Sequence, residues 1–333
     1  MDFYKGDRLN EEGRRLYNMG EVHIRKVCVV FLCGGQGTRL GSDKPKGCFI
    51  LPKLNMCLFE VHFQKIRELQ RKYNAKIKVF LMTSTFTYDD TKKFLDERDN
   101  FDLDITLFNQ DNVECLNLEM KLMKYDENST CKSPNGNGGL FKALHQYHII
   151  DKMKECDIEY VNVVSVDNVL VNVCDPLAIG VLYDKNLDIL SKAVIKADDE
   201  SVGVFVRENG QYVVKEYFES KESSKLANIC HHYFRLDFLE NLKNVDEAYH
   251  LSKKKIPYCR NGSIIKPDKP NGYKQELFIF DFFKYANGNE VILVPRLLEF
   301  SPLKNSDKDK GSNPTTCVSD YLKIKSTANI HFK

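Results

Sequence analysis

Seven apolar residues, Val27 to Cys33, run without alternation and stop at Gly34. Such a run predicts a strand covered on both faces, as in a parallel sheet with helices on either side. Leu58, Val61, Ile66 and Leu69 then recur at helical spacing with charges between them, which predicts an amphipathic helix. Ile77 to Met82 reads as a second strand, Thr91 to Glu97 as a short helix and Ile105 to Phe108 as a third strand. This alternation predicts an α/β fold with a doubly wound sheet.

The later chain carries the same signals less regularly. Residues 1 to 24 read as a helical lead, and residues 111 to 132 as irregular and charged. Leu140, Leu144, Tyr147 and Ile150 predict a helix whose stripe pauses at Asp151. Tyr160 to Val166 is a further buried strand, ending on Asp167 and Asn168. Two strand-like runs, Val202 to Val206 and Gln211 to Tyr217, flank Asn209-Gly210 and predict a hairpin. Asn228 to Phe234 reads as a strand on which His231 and His232 face opposite ways, so they cannot share a metal. Residues 264 to 274 read as an ordered loop. Asp281, inside the aromatic run Leu277 to Phe283, needs a partner, and a lysine of that loop is the expected one. The stretch 301 to 316 reads as a surface loop leading into a short tail, so that one main domain spans 25 to 305 and the tail 306 to 333.

Composition narrows the class. With 49 basic and 47 acidic residues the formal charge is +2, which argues against a nucleic-acid binder, since that needs a basic excess. Eleven cysteines without a C-x-x-C pair, several inside apolar runs, predict reduced thiols rather than disulfides or a zinc site. The charged N-terminus shows no secretory signal, and no apolar run has membrane-spanning length. Together these predict a cytoplasmic protein without a membrane partner.

The candidate chemistry lies in three places. After the first strand comes a loop with Gly34, Gly35, Gly37 and Gly41 interleaved with Arg39, Lys44 and Lys46. Glycines let backbone N–H groups close on an anion and basic side chains supply counter-charge, so the loop reads as a phosphate cradle. A second glycine cluster, Ser133 to Leu140, opens a helix, where free N–H groups favour an anion or polar edge. Asp167 stands at the carboxyl end of a buried strand, where ligands bind in open α/β sheets, and a carboxylate there can hold Mg²⁺ together with substrate phosphates. No G-K-[ST] follows the glycines and G-x-G-x-x-G is absent, which disfavours ATPase and dinucleotide readings. His145 and His148 have metal-compatible spacing but no third ligand, and read as surface or packing residues.

GGQGTRLG followed by PKG at 45 to 47 resembles the signature of nucleotidyltransferases that make UDP-sugars. NGNGGL (135 to 140), VDN (166 to 168), KEY (215 to 217), KPDKPNG (266 to 272), FIFD (278 to 281) and FSPLKN (300 to 305) are similar to motifs of eukaryotic UDP-N-acetylglucosamine pyrophosphorylases, in that family's order. The resemblance implies a Rossmann-like nucleotide-diphospho-sugar transferase fold with a mixed, mostly parallel sheet. It implies formation of UDP-N-acetylglucosamine and pyrophosphate from UTP and N-acetylglucosamine 1-phosphate, with Mg²⁺ as cofactor; a monomer is expected. The alternatives are a sister enzyme using glucose or galactose 1-phosphate, and a nucleotide-sugar-binding protein without turnover. By the same resemblance Arg39 and Lys46 hold the phosphates, Lys304 the sugar phosphate and Asp167 the metal. Leu32, Gly34, Gly35, Gln110, Gly136 and Lys274 meet the nucleotide, and Asn137, Glu216, Tyr217 and Asn228 line the sugar pocket. Cys33 stands where the family usually has alanine. The family's chains continue beyond FSPLKN into a C-terminal domain, whereas this sequence ends at Lys333.

Overall fold

The computed structural model describes residues 1–198, 200–216, 224–245 and 248–331. The lead forms α1 (Glu11–His23), capped by the Asn10 side chain, and the first apolar run forms β1 (Val27–Leu32). Then follow α2 (Leu58–Tyr73), β2 (Val79–Thr83), α3 (Tyr88–Asp96) and β3 (Ile105–Asn109), close to the positions that the apolar spacing predicts. The stretch expected to be irregular contains β4 (Asn112–Glu114), which pairs antiparallel with β5 (Lys132–Pro134). Three-residue strands are too short to display a period, so the sequence pattern does not reveal them.

The helix expected over 140 to 150 is two helices, α4 (Leu140–Gln146) and α5 (Ile149–Glu155), separated by the left-handed backbone of His148. After β6 (Tyr160–Ser165) come α6 (Pro176–Asp184), β7 (Ile189–Ile195), β8 (Val204–Glu208), β9 (Gln211–Lys215) and β10 (Leu226–Arg235). Asn209 and Gly210 both take positive φ, 49° and 83°, and close the expected hairpin between β8 and β9. The chain continues with β11 (His250–Lys254), β12 (Gly272–Glu276), β13 (Asn289–Leu293), α7 (Arg296–Glu299) and α8 (Pro314–His331). Residues 301–313 form the expected loop, pinned by hydrogen bonds, and the expected short tail contains a helix. Lys304 N–H donates to Ser312 O at 2.7 Å, and Ser301 Oγ donates to Asp320 Oδ2 at 2.9 Å.

Among the described residues the central sheet has nine strands, in the order β9-β8-β10-β6-β1-β2-β3, with β7 on β10 and β13 on β7. β6, β1, β2 and β3 are mutually parallel, whereas β10 runs antiparallel to β6 and β7. Successive residues of β1 enter different cores: Val27, Val29 and Phe31 pack on one face, Cys28 and Val30 on the other. That is the two-sided burial that the unbroken apolar run predicts. All eleven cysteines are free thiols. Asp281 faces His250, whose Nε2 lies 3.0 Å from both carboxylate oxygens, and not a loop lysine as expected. The antiparallel pairing of β11 with β12 brings that histidine to the aromatic run, a contact between positions 31 residues apart.

α1 crosses α6 at two glycines. A Cβ on Gly20 would lie 1.8 Å from Pro176 O, and one on Gly180 would lie 1.9 Å from Leu16 O. Gly180→Ala should therefore cost about 2–3 kcal/mol through overpacking. Gly311→Ala, where a Cβ meets nothing within 4 Å, should stay within about 0.5 kcal/mol of wild type. Urea denaturation of both variants checks this.

His62 and His232 are fully buried, and burial pulls both rings down to about 3. Between about pH 6.5 and 3 each ring takes up its proton only in the unfolded chain. Stability should therefore fall as the pH drops through that window, by up to about 1.4 kcal/mol per pH unit for each ring. Urea midpoints at pH 7, 6 and 5 should fall less steeply for His232→Gln than for wild type; equal slopes would remove His232 as a source of the effect.

Candidate active site

Strand order decides where the site forms. β2 lies on one side of β1 and β6 on the other, so chain connections diverge at β1 and leave a crevice at the strands' carboxyl ends. The parallel register pairs Leu32 with both Ser165 and Met82, and Thr83 with Asn109. The residues just after these strands, Cys33 to Lys46, Ser84, Gln110 and Asp167, therefore gather at one edge.

The glycine loop is closed by its own backbone. Gly37 N–H donates to Lys44 O at 3.0 Å, and Lys46 N–H donates to Gly35 O at 3.1 Å. Its start is anchored by Cys33 N–H to Met82 O at 2.7 Å and by Ser84 Oγ to Gly34 O at 2.9 Å. Gly34 has a steric reason: a Cβ there would stand 2.2 Å from the amide nitrogen of buried Gln110. At Gly35 a Cβ would meet nothing within 4 Å, so the backbone faces open space. Arg39 is exposed on the loop and pairs with no carboxylate among the described residues. Farther along, Gly47 packs on the Phe59 ring, where a Cβ would lie 2.3 Å from ring carbons. This close approach seats Lys46, whose Nζ reaches Asp167 Oδ2 at 3.4 Å with the two side chains 15% and 16% exposed. The other carboxylate oxygen accepts from Ser165 Oγ at 2.9 Å.

The second glycine loop packs against β12 and the residues after it. Gly138 N–H donates to Leu277 O, and Leu277 N–H donates to Asn135 O. Gly136 has φ of 88° and a Cβ there would lie 2.4 Å from Leu277 O, so both backbone angle and space require glycine. Between the two glycine loops opens a cavity of about 1280 Å³. All six residues expected on the nucleotide line it: Leu32, Gly34, Gly35, Gln110, Gly136 and Lys274. Asn137, expected on the sugar side, lines it too, and its Oδ1 accepts from Ile279 N–H at 3.0 Å.

A second group lies at the end of β6. Leu303 N–H donates to Asp167 O at 2.8 Å and Asn168 bridges to Pro302, which binds the segment carrying Lys304 to the Asp167 turn. Asn228 on β10 is held by its N–H to Gly203 O at 2.9 Å, and its Oδ1 accepts from Cys230 N–H at 3.0 Å. Burial pushes the Cys230 thiol up to about 12; Asp167 raises it further and Lys304 lowers it, so both charges act beside Asn228. A Cβ on Gly203 would lie 3.4 Å from Glu216 Oε1, which places Glu216 next to the backbone that holds Asn228. Tyr217 lies outside the described residues.

Other cavity residues escape the sequence reading. Thr38, Phe86, Tyr125, Lys132 and Glu276 line it as well. Lys132 and Tyr125 come from the stretch without periodicity; the pairing of β4 with β5 places Lys132, and Cys259 N–H donating to Tyr125 O holds Tyr125. Among the described residues no three His, Cys, Asp or Glu side chains gather as a metal cage, and no helix is long and apolar enough to cross a membrane. His145 bonds Leu239 O and His148 bonds Asp151, which agrees with their reading as packing and surface residues.

Known proteins resemble this chain in sequence and fold. The family model described as UTP–glucose-1-phosphate uridylyltransferase matches residues 7–327. A protein of Encephalitozoon cuniculi named "Probable UDP-N-acetylglucosamine pyrophosphorylase" is 44% identical over 319 residues, covering 95% of this chain and 92% of that protein. The UDP-N-acetylglucosamine pyrophosphorylase of Saccharomyces cerevisiae is 37% identical over 331 residues, covering 90% of this chain and 69% of that one. Among solved structures, the uridine diphosphate N-acetylglucosamine pyrophosphorylase of Trypanosoma brucei, in complex with an inhibitor, superimposes with a TM-score of 0.83 at 28% identity. That superposition covers 94% of this chain and 68% of the other, so this chain spans about two thirds of the yeast and trypanosome proteins. By its sequence, its sheet order and its glycine loops, the chain belongs to the UTP–glucose-1-phosphate uridylyltransferase family, on the side of the eukaryotic UDP-N-acetylglucosamine pyrophosphorylases.

Proposed function

We propose that this protein transfers the uridylyl group of UTP to N-acetylglucosamine 1-phosphate and releases pyrophosphate. The observation that carries this reading is the Lys46–Asp167 contact, which joins the glycine loop, through Lys46 N–H on Gly35 O, to the turn that Leu303 N–H ties to the segment of Lys304. A phosphate oxygen of the sugar phosphate attacks the α-phosphorus of UTP. The bond to the β-phosphate oxygen breaks in line, and pyrophosphate leaves with that electron pair. No protein nucleophile is required, so rate enhancement rests on positioning and charge neutralisation.

In this reading Leu32, Gly34, Gly35, Gln110 and Gly136 seat the uridine, with Lys274 on the same wall. Exposed Arg39 and half-buried Lys46 hold the triphosphate, and Lys304 meets the sugar phosphate. Asn137, Glu216, Tyr217 and Asn228 choose the sugar; because the Asn228 Oδ1 already accepts from Cys230, its NH₂ is the group left for an acceptor on the sugar. Asp167 would hold Mg²⁺. The donor set fits: one carboxylate oriented by Ser165 and only loosely engaged by Lys46, with no protein cage among the described residues. Mg²⁺ takes its remaining ligands from phosphate oxygens and water in such sites. When bound, the ion neutralises charge on the triphosphate. The enzyme acts as a monomer, since one chain carries the assigned residues. Eleven free thiols support a reducing, cytoplasmic setting.

Pyrophosphate release should be seen with UTP and N-acetylglucosamine 1-phosphate and should cease when EDTA removes divalent ions. The kcat/KM should exceed that for glucose 1-phosphate by about tenfold or more, on the order of 1.4 kcal/mol. The opposite preference would reassign the sugar, and UTP binding without product would favour a protein that only binds. Lys46→Ala should lower kcat by about 10²–10³-fold with little change in urea midpoint; turnover near wild type would take Lys46 out of the mechanism.

A further inference from the structure

The turn that presents Asp167 has a backbone that does not satisfy itself. The carbonyls of Val166, Val169 and Val171 face α2, and two side chains three residues apart on that helix receive them. His62 Nε2 lies 2.8 Å from Val166 O, and since a carbonyl only accepts, that nitrogen carries the proton. Lys65 Nζ donates to Val169 O at 2.6 Å and to Val171 O at 2.9 Å. On the far side the turn is tied to the segment around α7. Asn168 Nδ2 donates to Glu299 O at 2.7 Å, and Asn168 Oδ1 accepts from Ser301 N–H at 2.9 Å. The Glu299 carboxylate in turn accepts from fully buried Lys192 at 2.6 Å.

Lys65 is the costly member of this frame. Its ammonium makes no ion pair among the described residues, and burial pulls it down to about 7 against the pull of Glu299. Enclosing an ammonium that meets only carbonyls adds little to stability, and an apolar side chain of similar length would cost less to bury. What the ammonium supplies is geometry. One rigid helix sets the positions of two carbonyls, two and four residues beyond Asp167, while the Leu303 N–H sets the carbonyl of Asp167 itself.

We propose that Lys65 is a positioning residue for the transfer reaction: without touching substrate, it fixes the pitch of the 166–172 turn so that the Asp167 carboxylate meets Lys46 and the metal–triphosphate. This inference rests on the reading of Asp167 as the metal carboxylate. It requires Lys65 to matter more for chemistry than for folding. Residues that orient a metal ligand typically change metal affinity or activity by about 10–100-fold when replaced.

The test compares wild type with Lys65→Met, Lys65→Gln and Asp167→Asn. Steady-state kinetics give kcat and KM for UTP, and the electron paramagnetic resonance of free Mn²⁺, titrated in the presence of UTP, reads metal binding without turnover. Lys65→Met should lower kcat by about 30-fold and weaken Mn²⁺ by about tenfold, with KM for UTP within about twofold of wild type. Lys65→Gln, which keeps donors for the carbonyls, should recover part of both losses, and it carries the test by itself if Lys65→Met does not fold. A lower melting temperature with wild-type kcat and Mn²⁺ affinity in the lysine variants, while Asp167→Asn weakens Mn²⁺, overturns the inference and leaves Lys65 a structural residue. Unchanged Mn²⁺ affinity in Asp167→Asn removes the metal reading, and this inference with it.

Discussion

Parallel hydrogen bonding between β1 and β6 is the constraint on which the site depends, because it sets Leu32 opposite Ser165 and so puts the glycine loop and Asp167 at the same sheet edge. The two strands are separated by some 130 positions of chain. A shift of one residue in their register would turn every side chain of β6 to the other face. Burial on both faces resists such a shift, since Val161 and Val163 pack in one core while Val164 packs in the other. The Lys46–Asp167 contact is therefore a consequence of core packing as much as of charge.

Around that edge, close contact sets the loop geometry. Gly47 on the Phe59 ring and Gly136 on the Leu277 carbonyl are positions where backbone meets a neighbour too near for a side chain, and a side chain at Gly34 would displace the Gln110 amide. The contacts of Gly34 with Gln110 and of Gly136 with Leu277 join segments far apart in sequence, and both glycines line the cavity. These glycines thus do more than supply freedom to turn: they let the first loop close on the residue after β3, and the second on the segment after β12, around one cavity of about 1280 Å³. Behind the edge lies a polar layer, in which fully buried Lys192 joins Asp175 and Glu299 and half-buried Lys65 takes loop carbonyls. Such a layer is expensive to bury and becomes intelligible as the frame of a turn that must not drift.

Much of this was legible in one dimension. The unbroken run Val27 to Cys33 and the run Tyr160 to Val166 are strands because a strand buried on both faces has no polar side to alternate with. The Asn209-Gly210 hairpin was legible because positive φ at two successive residues is a local property. The expectation failed where local pattern competes with distant partners. Asp281 is expected to pair with a lysine of the preceding loop, and the pairing of β11 with β12 delivers His250 instead. The helix over 140 to 150 breaks at His148 although its apolar spacing continues.

By itself, the sequence determined the alternation of elements, the glycine-rich cradle, the acid at a strand end and the family they spell. Each is a short contiguous stretch whose chemistry is fixed by neighbours a few bonds away. Only the tertiary structure decided that Lys46 meets Asp167, that Cys230 lies under the charges of Asp167 and Lys304 beside Asn228, and that Lys65 holds the turn from behind. Those contacts span tens to more than a hundred residues. Their partners are chosen by sheet register and by the demand that buried polar groups be satisfied, quantities that exist only once the chain has closed on itself.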